Sequence, residues 1–180
     1  EHEDRVLMAV PGGTTPGPIF DDLCAADLDW SRVDVMLSDE RWVPEDSERS
    51  NTRLLRQRLL VERAAAARYL PLYLPGDAPE ERLEELEANI TPRLPIQVLV
   101  LGMGADMHTA SLFPGADKLA EALDPKAPAL MAMRAPGAPE PAGTAPQAAS
   151  RPTSRPTIPV PRPTCLSGDT GAAAAAAAAA

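Results

Sequence analysis

Cysteine is nearly absent. The 180 residues include two, Cys24 and Cys165, which form neither a CxxC pair nor a zinc-ligand spacing. A reducing, cytoplasmic setting is the simplest reading, and no metal is expected. Positive charge is also in deficit. Lys and Arg number 17 against 26 Asp and Glu, a net charge of −9. That excludes a general nucleic-acid binder, whose usual footprint is a basic stripe. It leaves room for a small phosphorylated ligand, which a few local cations and backbone N–H groups can hold. Aromatic residues are scarce at 3%. No apolar run reaches the roughly 18 residues of a membrane span, and residue 1 does not begin a signal peptide. The chain opens at Glu1-His2-Glu3 without an initiator Met, so residues upstream are expected.

What is present is a hydrophobic content of 44%, enough for one globular domain with a substantial core. Residues 1–134 alternate strand-like and helix-like segments. Arg5 to Val10, Val33 to Leu37 and Ile96 to Leu101 are short apolar runs that read as buried strands. Pro16 to Ala26 reads as a helix with Thr15 as candidate N-cap. Asn51 is a candidate cap for a helix reaching Leu60, with Leu54, Leu55, Leu59 and Leu60 on or near one face. Ala78 to Ile90 reads as an acidic helix with Leu83, Leu86 and Ile90 as its buried stripe. Continuous apolar strands separated by helices predict an α/β fold, a mostly parallel sheet with helices on both faces. Ligands of such sheets sit beyond the carboxyl ends of the strands. That places the site at the loops 11–15, 38–50 and 102–115.

The composition changes near residue 135. Nine of the 31 residues from Ala135 to Cys165 are proline, with no apolar period, and 172–180 are nine consecutive alanines. The proline segment reads either as a disordered linker or as wrongly assigned residues. The alanines read as placeholders for unidentified side chains. Residues 135–180 are therefore taken as an unreliable or mis-assigned C-terminal part of the same domain, and chemical inference stops at 134.

Each of the three loops carries a motif. Pro11-Gly12-Gly13-Thr14-Thr15-Pro16 joins a strand to a helix. Its glycines let backbone N–H groups converge on an anion at a helix N-terminus, though a plain turn with a cap would look the same. Ser38-Asp39-Glu40-Arg41-Trp42-Val43-Pro44, with Ser50-Asn51 beyond it, offers two carboxylates and an Arg able to fork onto phosphate oxygens. Taken alone it reads more simply as a solvated charge cluster. Gly102-Met103-Gly104-Ala105-Asp106-Met107-His108-Thr109-Ala110-Ser111-Leu112-Phe113-Pro114-Gly115 sets a histidine just past a buried strand. His108 near Asp106 suits general base work, although a lone histidine is more often structural.

The three motifs, in this order, resemble the 6-phosphogluconolactonases. That family carries Ser-Gly-Gly-Ser/Thr-Thr/Ser-Pro, then Asp-Glu-Arg-x-Val-Pro followed by Ser-Asn, then Gly-x-Gly-x-Asp-Gly-His-Thr-Ala-Ser-Leu-Phe-Pro-Gly. The resemblance spans roughly residues 5–134 and implies a Rossmann-like fold shared with glucosamine-6-phosphate isomerases. The family's C-terminal third is not recognisable. The implied reaction is hydrolysis of 6-phosphoglucono-δ-lactone to 6-phosphogluconate, a step of the oxidative pentose phosphate pathway, without a cofactor. In that reading His108 is the base and Asp106 its orienter. Asp39 binds sugar hydroxyls or supports the site. Gly12, Gly13, Thr14, Thr15, Arg41 and Gly104 bind substrate, the first three with Arg41 taking the phosphate. Two departures stand out. Pro11 replaces a Ser, and Met107 replaces a Gly that suits a positive φ or a close approach to ligand. Two other functions remain in view. A glucosamine-6-phosphate isomerase/deaminase would carry a Glu after the histidine, where this chain reads Ser111-Leu112-Phe113-Pro114-Gly115. A non-catalytic sugar-phosphate binder would fit Met107 and the lost C-terminal pattern.

Overall fold

The computed structural model describes residues 5–105, 107–136 and the backbone of 144–148. Its elements are β1 (Val6–Val10), α1 (Gly17–Cys24), β2 (Val33–Leu37), β3 (Asp39–Arg41), α2 (Asn51–Arg58), β4 (Arg68–Leu70), α3 (Leu83–Ile90), β5 (Val98–Leu99), α4 (Leu119–Ala122), β6 (Leu130–Met133) and β7 (Thr144–Ala148). Four strands form a parallel sheet in the order β4-β2-β1-β5. The β1–β2 ladder runs unbroken from Val6 opposite Val33 to Val10 opposite Leu37.

The strand order decides where the helices go. Crossovers between parallel strands are right-handed. The steps β1 to β2 and β2 to β4 run the same way, so α1 and α2 fall on one face, where they pack together. The return from β4 to β5 runs the other way and puts α3 on the opposite face. This is the Rossmann-like α/β class expected from the sequence. The direction reverses between β1 and β5, and the crevice beyond their carboxyl ends is where such sheets take ligands. The core lies between sheet and helices: Ala9, Val35, Met36 and Leu37 from the strands and Leu55 and Leu59 from the α2 region are fully buried. At the opposite, amino end of the strands, buried Asp34 pairs with Arg5 at 2.6 Å and stands 3.6 Å and 3.5 Å from Arg68 and Arg93. A buried carboxylate needs such pairing to offset its lost hydration.

Several local expectations are corrected. α1 begins at Gly17 behind Pro16, with no side-chain cap; Thr15 is not the N-cap. α2 is capped by Ser50, whose hydroxyl accepts the Arg53 N–H, because the Asn51 side chain is engaged elsewhere. On this helix Leu55 is buried, whereas Leu54 is only half-buried. The acidic helix splits into a short 3-10 turn at Pro79–Glu81 and α3. The break is Arg82, which leaves helical geometry (φ −120°, ψ −1°) and donates to the Pro75 carbonyl at 3.0 Å. Leu86 and Ile90 are buried as expected, while Leu83 is half-buried.

Ile96 to Leu101 is neither fully a strand nor buried. Only Val98–Leu99 is assigned, with both side chains exposed, because β1 is its one sheet neighbour among the described residues. The loop 38–50 contains β3, which joins β7 and β6 in a small antiparallel sheet of order β3-β7-β6. β7 lies inside the proline-rich stretch that composition set aside, and its ladder with β6 shifts register beside Pro146, which has no N–H to give.

Candidate active site

The three loops meet. One cavity of about 340 Å³ opens at the switch point and is lined from all of them, including Gly12, Gly13 and Thr15, Asp39 and Arg41, and Gly104 and His108. Seven of the nine residues singled out from the sequence are thus brought together. Thr14 is not among the lining residues; it is exposed, and its carbonyl accepts the Gly17 N–H at 3.2 Å. Asp106 lies outside the described residues.

The first loop follows β1 directly. Gly13 sits at φ 81°, a conformation glycine adopts without strain, and a Cβ there would meet nothing within 4 Å. Gly12 is a glycine for a different reason: a Cβ would stand 2.1 Å from the Asn51 side chain. The Gly13 N–H is donated to Asn51 Oδ1 at 3.2 Å, and Asn51 itself lines the cavity.

The second loop divides its charges. Asp39 faces the cavity with both oxygens occupied, Oδ1 accepting the Ser38 hydroxyl at 3.1 Å and Oδ2 the Ser111 hydroxyl at 2.8 Å. Glu40, which the sequence offered as a ligand carboxylate, is fully buried and instead caps α2. Its Oε1 accepts the N–H groups of Arg41 and Asn51, both at 2.8 Å. Its Oε2 accepts the Thr52 N–H at 2.7 Å and the hydroxyls of Thr52 at 2.6 Å and Ser50 at 3.2 Å. A carboxylate at a helix N-terminus, surrounded by donors, is well placed electrostatically. Behind it the Tyr69 hydroxyl lies 2.6 Å from Thr52 Oγ1, and burial pushes the pKa of that phenol above its usual range. Arg41 lines the cavity and donates to the Arg49 carbonyl at 2.7 Å, folding the loop back on itself. Arg49 also lines the cavity, a second guanidinium that no motif pointed to.

The third loop carries His108. Its ring stacks on Phe113, centroids 4.0 Å apart and planes 23° from parallel. The loop closes through the Gly104 N–H on the His108 carbonyl at 2.8 Å and the Met107 N–H on the Gly104 carbonyl at 2.9 Å. The Gly104 N–H is thereby committed to the loop. Met107 is held at φ 66°, the left-handed conformation a glycine would take freely, with its side chain 78% exposed. Buried Ser111 ties this loop to the second through Asp39.

Sequence reasoning missed the part played by Asn51. It is 3% exposed and joins two loops, accepting from Gly13 and donating from Nδ2 to the Asp39 carbonyl at 3.1 Å. The Ser-Asn pair after the second motif was its only signal. Among the described residues no group of three or more His, Cys, Asp or Glu could hold a metal ion, and no helix is long and apolar enough to cross a membrane.

Comparison with known proteins shows the family and the fold. The sequence model of the family "Glucosamine-6-phosphate isomerases/6-phosphogluconolactonase" matches residues 1–144. A 6-phosphogluconolactonase of Rhizobium meliloti is 47% identical over 137 residues, covering 74% of this chain and 59% of the relative. One from Pseudomonas aeruginosa is 46% identical over 125 residues, covering 69% and 52%. The chain therefore spans little more than half the length of these relatives. A crystal structure of a 6-phosphogluconolactonase from Shewanella baltica superposes with a TM-score of 0.75 at 35% identity, covering 81% of this chain and 62% of that one. A monomeric glucosamine-6-phosphate deaminase shares the fold alone, with a TM-score of 0.63 at 14% identity.

Proposed function

The chain belongs to the glucosamine-6-phosphate isomerase/6-phosphogluconolactonase family, and on that premise we propose that it hydrolyses 6-phosphoglucono-δ-lactone to 6-phosphogluconate in the cytoplasm. The observation that carries the proposal is the convergence of His108, Asp39, Arg41 and the Gly12–Gly13 loop on one cavity. Its volume of about 340 Å³ is at the small end of ligand clefts, which begin near 300 Å³, and fits a single sugar phosphate.

In this reading His108 takes a proton from water as the water oxygen bonds to the lactone carbonyl carbon. The tetrahedral oxyanion then collapses, the bond to the ring oxygen breaks, and the imidazolium returns the proton to that oxygen. Stacking on Phe113 holds the ring in place. Asp106 orients the imidazole. Asp39, both of whose oxygens accept hydroxyls, ties the loops together and meets the sugar, and is not the base. Arg41 takes the phosphate beside the first loop, with Thr15 and the neighbouring backbone completing the substrate contacts.

The test is hydrolysis of 6-phosphoglucono-δ-lactone above its spontaneous opening. His108→Asn keeps size and hydrogen bonding but cannot take the proton. It should lower kcat on the order of 10²–10⁴-fold with KM and thermal midpoint little changed. A stable His108→Asn protein with wild-type kcat would remove His108 from the mechanism. A wild type that does not accelerate opening would leave the second reading, a sugar-phosphate binder, which the strained Met107 beside His108 favours. Ammonia released from glucosamine 6-phosphate would point instead to the isomerase/deaminase side of the family. The one glutamate lining the cavity among the described residues, Glu40, has both oxygens engaged at the head of α2 and is poorly placed to serve that reaction.

A further inference from the structure

Asn51 sits at the first turn of α2, yet its side chain does nothing for the helix. Its own N–H is fixed by Glu40 at 2.8 Å, which sets where the amide can reach. The amide then spans two strand-end loops, with Oδ1 on the Gly13 N–H at 3.2 Å and Nδ2 on the Asp39 carbonyl at 3.1 Å. The two partners demand opposite groups, since a backbone N–H only donates and a carbonyl only accepts. The amide is therefore locked in one orientation, and of the side chains of this length only asparagine supplies both functions. The first loop is shaped to receive it. Gly12 leaves the space the amide occupies, as a Cβ there would stand 2.1 Å from Cγ, and the chain then turns at Gly13, whose φ is 81°.

Two loops that carry candidate phosphate donors are thus held in register by one amide. Left to themselves they are separate loops after separate strands, and each must lose conformational freedom before both can grip one anion. We propose that Asn51 is a positioning residue for substrate phosphate, setting the Gly12–Gly13 loop against Asp39–Arg41 so that donors from both loops reach the same group. The inference rests on the assignment of this cavity to a phosphorylated sugar lactone. It predicts a property that overall support of the fold would not produce: loss of Asn51 should act on selectivity for the phosphorylated ligand.

The experiment compares Asn51→Ala, Asn51→Asp, Gly12→Ala and the double variant Gly12→Ala/Asn51→Ala in the full chain. Asn51→Asp keeps an acceptor for Gly13 but sets a carboxylate against the Asp39 carbonyl. Kinetics are run on 6-phosphoglucono-δ-lactone and on glucono-δ-lactone, with thermal midpoints alongside. For both Asn51 variants the ratio of kcat/KM for the phosphorylated over the plain lactone should fall about tenfold, the scale of one lost positioning hydrogen bond, mainly through KM. Gly12→Ala should do at least as much alone, because its methyl displaces the amide. It should add little on top of Asn51→Ala, which removes the obstacle. Equal loss on both lactones, an unchanged ratio, or effects of Gly12→Ala and Asn51→Ala that simply multiply would each overturn the proposal. Calorimetric titration of 6-phosphogluconate against gluconate gives the same ratio without turnover. If the wild type hydrolyses neither lactone, the proposed activity falls while this titration still decides the role of Asn51. A wild type that does not prefer 6-phosphogluconate overturns that role as well.

Discussion

Replacing Glu40 by Gln keeps the shape of the side chain and changes only its hydrogen-bonding character, so the consequence can be followed donor by donor. The carboxylate accepts five hydrogen bonds in a fully buried position. Three come from the backbone N–H groups of Arg41, Asn51 and Thr52 and two from the hydroxyls of Ser50 and Thr52. A glutamine must turn its NH₂ toward one side of this cluster. Turned to the Oε1 side, it meets two N–H groups that cannot reverse. Turned to the Oε2 side, it meets hydroxyls that can rotate to accept, but the Thr52 N–H is still left facing a donor. The better orientation therefore orphans one buried N–H, at about 1–3 kcal/mol. Loss of the negative charge from the head of α2 adds about 0.3–1 kcal/mol. The sum, about 1.3–4 kcal/mol, corresponds to a fall in thermal midpoint of about 3–16 °C at about 2–4 °C per kcal/mol for a chain of this size. Urea unfolding of both proteins, followed by circular dichroism, measures the difference directly. Kinetics should show a raised KM as well, since the carboxylate fixes the backbone of Asn51. A Glu40→Gln protein within about 0.5 kcal/mol of wild type, below the smallest cost of the orphaned N–H, would refute the reasoning.

Arg41→Lys keeps the charge but loses the planar fork and the bond that holds the Arg49 carbonyl. Selectivity for phosphorylated over plain lactone should fall in steady-state kinetics, and equal losses on both would assign Arg41 to loop structure alone. Met107→Gly should relieve about 1–2 kcal/mol of left-handed strain at φ 66° while adding about 0.5–1 kcal/mol of unfolded-state entropy, and the exposed side chain takes little burial with it. The net gain of up to about 1.5 kcal/mol should appear as a higher thermal midpoint, and a lower one would show that Met107 makes contacts that offset its backbone.

What could be read from the sequence follows from the range of the forces involved. The apolar runs Val6–Val10 and Val33–Leu37 read as buried parallel strands, and both form parallel strands buried beyond their first residue. Loops at the carboxyl ends of such strands are then forced toward one another, so a cavity shared by Gly13, Arg41 and His108 is legible in the sequence. The same logic stops at the side chains, because residue type does not say which way a group turns. Glu40 and Asp39 are adjacent acids in one motif. Strand alternation sends Glu40 inward to α2 and leaves Asp39 on the cavity, and that parity depends on a three-residue strand, β3, whose partner β7 is far away in the chain. Asn51 was hidden for a related reason. Asparagine at a helix start ordinarily reads as its cap. Here Ser50 and Glu40 already satisfy the first turn of α2, which frees the amide to reach 38 residues back to Gly13. Local pattern thus places the loops, while the bonds that hold them in register run between residues too distant in sequence for any local rule to connect.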